Sequence, residues 1–386
     1  MKLLIYTPVF APNVGGIETI VLTLTRGLTD LVTCEGVAEF DVKLITQTAA
    51  GKFKDEELPF QIVRRPSLKQ LWSAIRASDV VHIACPAVVP LVLSLLARKP
   101  VVVEHHGFQT ICPTGQLLME PDGIPCPGHF MAGRHLKCMG CRSTKDWKHS
   151  YMLWLSTFFR RFLCRHVAAN IMPTEWLLGT LNLKNAITIP HGIEMPSPVI
   201  STRHASGPPL IVFQGRLVTT KGLDVLLRAL AILHAEHCPF ELVVIGDGPE
   251  RASLVNLTHS LQISDSVRFA GRLAAVEMES TLADARIVAM PSLAGEVFGL
   301  VLAENMSRGL AVVVSDIGAL VEVAGNAGLT FHKGDSQDLA QKLRELLSDP
   351  ELATRLGKLA RQRMFDVYSP NGMVNKHADV YRSLIR

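Results

Sequence analysis

The sequence predicts an α/β protein of two lobes, each a Rossmann-like, doubly wound parallel sheet, the pair facing a central cleft. Three observations carry this. Short apolar runs alternate with helix-period segments along all 386 residues. The runs are apolar at consecutive positions rather than at every second one, as strands covered on both faces must be. A Pro- and Ser-rich stretch at 196–209 parts the alternation into two halves.

In order, the first half offers strands at 2–6, 41–46, 60–63, 80–83, 101–103 and 168–172. The first of them, Lys2-Leu-Leu-Ile-Tyr6, is stopped by Pro8, which has no N–H for a ladder. The second half offers strands at 210–214, 241–245, 267–269, 287–290, 312–314 and 328–331. Between the first two of these, Leu223, Leu226, Leu227, Leu230 and Leu233 recur at helical spacing and predict an amphipathic helix. The expected domains are 1–195, a linker 196–209, 210–369, and a last helix over 370–386 carrying Val374, Val380, Tyr381, Leu384 and Ile385. On such lobes ligands bind outside the carboxyl ends of the strands.

Composition narrows the function classes. Hydrophobic residues make up 48% and charged ones 19%, enough for more than one core and unlike a disordered chain. A net charge of +4 is far short of a nucleic-acid footprint, so no nucleic-acid partner is expected. The most apolar stretch, 84–103, is broken by Pro86, Pro90, Arg98, Lys99 and Pro100, so no spanning helix is expected. The opening apolar run is too short for a signal peptide, and a cytoplasmic location is expected. In that reducing compartment the 8 cysteines point to metal, packing or chemistry before disulfides. A dinucleotide fingerprint is missing: Gly15-Gly16 lacks the third glycine, and Gly246-Asp-Gly248-Pro-Glu-Arg251 ends on arginine.

The second half holds a set of residues suited to a diphosphate. Arg216 and Lys221 flank a Gly-containing turn after the 210–214 strand, one a planar donor fork and the other a compact charge. Pro291-Ser-Leu-Ala-Gly-Glu296-Val-Phe298-Gly299-Leu300 leads from a strand into a helix that carries Glu304. Backbone N–H groups around Phe298, Gly299 and Leu300 would make an anion site. Taken singly, each residue has a plainer reading: solvated turn cations, a dipole partner in Glu296, and an exposed helix face for Glu304.

Together these residues resemble glycosyltransferase family 4, retaining enzymes of the two-lobed GT-B fold. The matching elements are Gly215-Arg-Leu…Lys221-Gly-x-Asp, Gly246-Asp-Gly248-Pro, Phe269-x-Gly271, Glu296-x7-Glu304 and Val312-Val-Val-Ser-Asp-Ile-Gly318. In the first half Gly15-Gly16-Ile-Glu18, His106-Gly107 and Pro190-His-Gly-Ile-Glu194 also match, although the family usually has Asn where His191 stands.

The resemblance implies transfer of a sugar from a nucleotide-diphosphate donor to a glycan, lipid-linked or small-molecule acceptor. Arg216 and Lys221 would neutralise the leaving diphosphate, Glu304 would hold the ribose, and Glu296 would hold the sugar. Gly15, Gly16, Gly246 and Gly248 would lie against the donor, and His106 would reach a sugar hydroxyl or the reacting centre. A satisfied histidine at a strand end is the plain reading of His106. The last helix would cross back onto the first lobe. Two rival classes remain, a nucleotide-sugar epimerase and a catalytically silent binder. No Asp-x-Asp occurs in the chain, so transfer without a metal cofactor is expected.

Two features lie outside this set. Cys112, Cys126, Cys138 and Cys141 fall in a Gly- and Pro-rich insert at about 109–145, where the types suit a structural zinc, with reduced thiols or a redox pair as alternatives. Trp147, Tyr151, Trp154, Phe158, Phe159 and Phe162 share the segment 145–165 with Lys145, Lys148, Arg160, Arg161 and Arg165. The favoured reading is a helix packed on the first sheet, and the alternative is peripheral contact with a membrane interface.

Overall fold

The computed structural model describes residues 1–13, 15–51, 53–119, 123–141, 147–196 and 207–385. The chain divides into two compact units. One comprises Met1–Pro121, Cys126–Gly192 and Tyr368–Arg386, the other Asp122–Pro125 and Ile193–Val367. The helix Pro370–Ser383 is thus part of the unit that holds the N-terminus. Most of the expected linker, together with Lys145, lies outside the described residues.

The first unit is built from β1 (Lys2–Thr7), β2 (Asp41–Thr46), β3 (Gln61–Arg64), β4 (Val80–Ala84) and β5 (Val101–Glu104). The short strand β6 (Leu118–Met119) follows, and then β8 (Ala169–Met172) and β9 (Ala186–Thr188), while β7 (Ile124–Pro125) falls within the other unit. The main sheet runs β3-β2-β1-β4-β5-β8-β9 with parallel pairing. Leu3 pairs with Val42 on one side and Val80 on the other, and Leu3, Leu4 and Ile5 are all buried, which is why the strand reads as a continuous apolar run.

The C-terminal helix lies on the helix Gly16–Thr29, where Gly27 leaves room for Val374: a Cβ there would sit 2.4 Å from Cγ2 of that valine. Tyr381 is buried edge-on to Phe40, with ring centroids 6.1 Å apart, and Arg382 grips Glu39 with two bonds of 2.7 Å.

The second unit is built from β10 (Leu210–Gln214), β11 (Glu241–Ile245), β12 (Val267–Gly271), β13 (Ala285–Met290), β14 (Ala311–Ser315) and β15 (Leu329–Phe331). Their order is β12-β11-β10-β13-β14-β15, all parallel, with the strand order reversing between β10 and β13. The helix Leu223–Ala235 buries Leu226, Leu227, Leu230 and Leu233 against this sheet and the helix Ser336–Ser348. Burying a leucine side chain contributes about 1.5–3 kcal/mol, so this stripe anchors the unit.

Every strand expected from the sequence forms, and three short ones are added, β6, β7 and β9. β9 is only Ala186-Ile-Thr188, too short to stand out as an apolar run, and it begins directly after Asn185, which turns the chain with φ 52°. Its place at the sheet edge comes from pairing with β8, a long-range contact no local pattern announces.

Candidate functional site

In the second unit the site residues gather where β10 and β13 end. Gly215 and the exposed Arg216 follow β10, and a 3₁₀ turn, Thr219–Lys221, leads into the Leu223–Ala235 helix. The turn is tied to the loop after β13, because the Leu293 amide donates to the Thr220 carbonyl at 2.8 Å. That link brings together two residues 75 apart in sequence: the Lys221 ammonium donates to Oε1 of Glu296. Oγ of Ser292 donates to the same oxygen at 2.9 Å. Glu296 is buried and Lys221 partly so, which strengthens their attraction relative to a surface pair. The sequence reading gave the two residues separate ligands, whereas the structure pairs them with each other.

The helix Leu300–Ser307 starts beside this pair, and its N-cap is Gly299 with φ 87°. A Cβ at that position would lie 2.5 Å from Cδ2 of Leu320, so both backbone conformation and space require glycine. The first turn, from Leu300, offers amides that the helix cannot satisfy. Phe298 is buried one step earlier. Glu304, expected on an exposed face in its plain reading, is half-buried instead. Burial raises its pKa, Arg308 opposes that rise, and Glu279 adds to it.

Gly246 has φ 133°, and a Cβ there would meet the Gly215 carbonyl oxygen at 1.9 Å, while one on Gly248 would meet that of Leu217 at 2.3 Å. Both glycines therefore press the loop after β11 onto the loop that carries Arg216.

In the first unit Gly15 is the N-cap of the helix Gly16–Thr29, in extended conformation and without a side-chain cap, so that helix start also presents backbone amides. His106 lies just beyond β5 with its ring almost parallel to that of His191, centroids 5.1 Å apart and planes 18° apart. Both rings turn a nitrogen toward Glu104, His106 Nε2 at 3.5 Å from Oε2 and His191 Nδ1 at 3.5 Å from Oε1. His82 Nε2 is 3.2 Å and His377 Nε2 3.9 Å from Oε2. Glu104 is fully buried. Burial alone would raise its pKa, but the charge and hydrogen bond of His106, with His82 and His377, hold it well below the ordinary carboxylate range.

Burial also pushes imidazoles down: His105 to about 4 despite its bond to Asn170, His191 to about 3 with His106 adding to the shift, and His377 to about 4 against the pull of Glu104. Sequence reasoning found His106 and missed Glu104, His82 and His377. The available signal was a histidine inside the apolar strand Val80-Val-His82-Ile-Ala84 and a glutamate ending Val101-Val-Val-Glu104.

Cys112, Cys126, Cys138 and Cys141 line one cavity of about 10 Å³ together with His129. The Cys138 thiol is pushed up to about 12 by burial and by the three other thiols. Among the described residues, however, the one set of three possible ligand atoms within 4.8 Å of one another is Glu104, His106 and His191, so the sulfurs do not close into the expected tetrahedral zinc set.

The helix Trp147–Cys164 buries Ser150, Thr157, Leu163 and Cys164 and leaves Trp147, Tyr151, Met152, Leu155, Phe159 and Phe162 exposed. Most of its aromatic stripe therefore faces outward, contrary to the favoured expectation. No described helix is long and apolar enough to cross a membrane.

Two parallel-sheet α/β units, with charged loops at the carboxyl ends of their strands, define a GT-B glycosyltransferase. The same fold is seen in HepE of Anabaena in its complex with UDP, at TM-score 0.73 and 17% identity over 99% of this chain and 100% of that one. The profile of the family described as "Glycosyl transferases group 1" matches residues 200–363. The chain is 30% identical over 289 residues to the glycogen synthase of Mycobacterium tuberculosis H37Rv, covering 73% of this chain and 69% of that protein. It is 25% identical over 382 residues to a GDP-mannose-dependent phosphatidylinositol monomannoside mannosyltransferase of Corynebacterium glutamicum, covering 93% and 92%. The protein belongs to the group 1 glycosyltransferases.

The buried imidazoles set a pH dependence of stability. His105, His191 and His377 have folded pKa values of about 4, 3 and 4, below the 6.5 of a free histidine, so the unfolded chain takes up protons that the folded chain refuses. Their contribution is full above pH 6.5 and is lost as pH falls toward 4, by up to about 1.4 kcal/mol per pH unit for each group. Thermal melts should show a lower Tm at pH 5 than at pH 7.5, and an equal or higher Tm at pH 5 would contradict this assignment.

Proposed function

We propose that the protein transfers a sugar from a nucleotide-diphosphate donor to a glycan, lipid-linked or small-molecule acceptor, with retention of anomeric configuration and without a metal cofactor. In this reaction an acceptor hydroxyl bonds to the anomeric carbon, and the bond from that carbon to the phosphate oxygen breaks. The nucleoside diphosphate leaves, and the hydroxyl proton passes to it or to solvent. Charge accumulates on the departing diphosphate, so cations already held near it favour the transition state over the ground state.

The observation that carries the reading is the meeting of Lys221 and Glu296 beside the helix start at Leu300. A donor would replace the carboxylate as the partner of the ammonium, freeing Glu296 for sugar hydroxyls. Arg216, exposed on the same loop, supplies a second cation, and Glu304 a ribose acceptor. Gly15, Gly16 and His106 supply the first unit's share.

Lys221→Ala should lower kcat by about a hundredfold, the size expected for one electrostatic contact to a developing charge, while added EDTA leaves wild-type turnover intact. Full turnover in the variant, or loss of turnover in EDTA, would reject this mechanism. Release of nucleoside diphosphate only when an acceptor is present separates transfer from a silent binder or an epimerase.

A lipid-linked acceptor is favoured by the outward aromatic face of Trp147–Cys164, which carries Lys148 alongside exposed Trp147, Phe159 and Phe162, with exposed Arg165 directly after it. The protein should float with liposomes containing anionic lipid, and recovery wholly in the unbound fraction would remove the membrane part of the reading.

A further inference from the structure

Glu104 ends a strand that is otherwise apolar, and the transfer reaction as derived so far makes no use of it. An ionised carboxylate that deep is costly unless polar groups surround it. Imidazole nitrogens face it from every side, at 3.2–3.9 Å. β4 supplies His82, the segment after β5 His106, the segment after β9 His191, and the C-terminal helix His377. Tyr381, from the same helix, has its hydroxyl 2.9 Å from Nδ1 of His82. Two further titratable groups are near, the buried Cys85 thiol after β4 and His105, whose Nε2 lies 2.9 Å from Oδ1 of Asn170.

We propose that Glu104 is a positioning residue, a buried side chain that sets the orientation of the His106–His191 pair and ties that pair to the C-terminal helix. The inference rests on the reading that His106 serves the transfer reaction. Its geometry is specific. His106 faces the carboxylate through Nε2, so Nδ1 is the ring atom left for a sugar hydroxyl, and the stacked ring of His191 resists rotation about that arrangement. His191 engages the other carboxylate oxygen, so the two imidazoles are held at one spacing by a single side chain. The C-terminal helix closes the far side through His377 and, by way of His82, through Tyr381. A carboxylate that orients an imidazole and favours its charged form is a recurring way of preparing a histidine for work.

The test compares full-length wild type with Glu104→Gln by ¹⁵N-imidazole NMR between pH 5 and 9 and by transfer kinetics. Removing the side chain that both rings face should move the His106 and His191 ring-nitrogen signals from their wild-type positions. kcat should fall about tenfold to a hundredfold with donor KM unchanged. The NMR arm needs no turnover, so it tests Glu104 even if the function proposed above fails.

A folded Glu104→Gln protein with wild-type imidazole spectra would overturn the proposal. So would a stoichiometric divalent metal in wild type that the variant lacks, because the carboxylate would then be a metal ligand. Tyr381→Phe removes only the hydroxyl on His82 and should displace the His82 signals and, by a smaller amount, those of His106. If Glu104→Gln does not fold, unchanged spectra in Tyr381→Phe overturn the proposal instead.

Discussion

A parallel strand must be covered on both faces, and its chain must return across the sheet before the next strand can start. That constraint sends every strand of each unit in one direction and collects the carboxyl ends along one edge. Where the strand order reverses, between β1 and β4 in one unit and between β10 and β13 in the other, the departing loops diverge and leave room for side chains. Lys221 and Glu296 meet at the second of these edges. Glu104 and His106 lie at the end of β5, the neighbour of β4 in the first.

The two charged sets differ in how their charge is managed. Lys221 and Glu296 neutralise each other, the carboxylate buried and the ammonium partly exposed. Glu104 lies where water does not reach, and it is stabilised by imidazoles that are themselves reluctant to be charged. A buried pair of this kind contributes little net stability but enforces one arrangement strongly, since removing a single partner leaves an uncompensated charge.

Much of the fold was legible because its signals are local. Strand positions followed from apolar runs, and the Leu223–Ala235 helix from its leucine spacing. The charged residues of the second unit were recognisable by type and order. The link between Lys221 and Glu296 was not legible, because it depends on the Leu293 amide reaching the Thr220 carbonyl. Nor was the outward face of Trp147–Cys164, since helical periodicity says that one face is apolar without saying what covers it. The four cysteines announced a shared site by type, while the spacing of their sulfurs is set by the fold of the loops between them.

The sequence by itself determined the element order, the two-unit α/β class and the identity of the charged residues, because each depends on neighbours within a few positions. Tertiary structure alone decided that His82, His106, His191 and His377 surround the carboxylate of Glu104. Those residues are separated by strands, crossovers and the whole second unit. Only the pairing of β1, β4 and β5, with the return of the last helix onto the helix Gly16–Thr29, brings them within reach of one another.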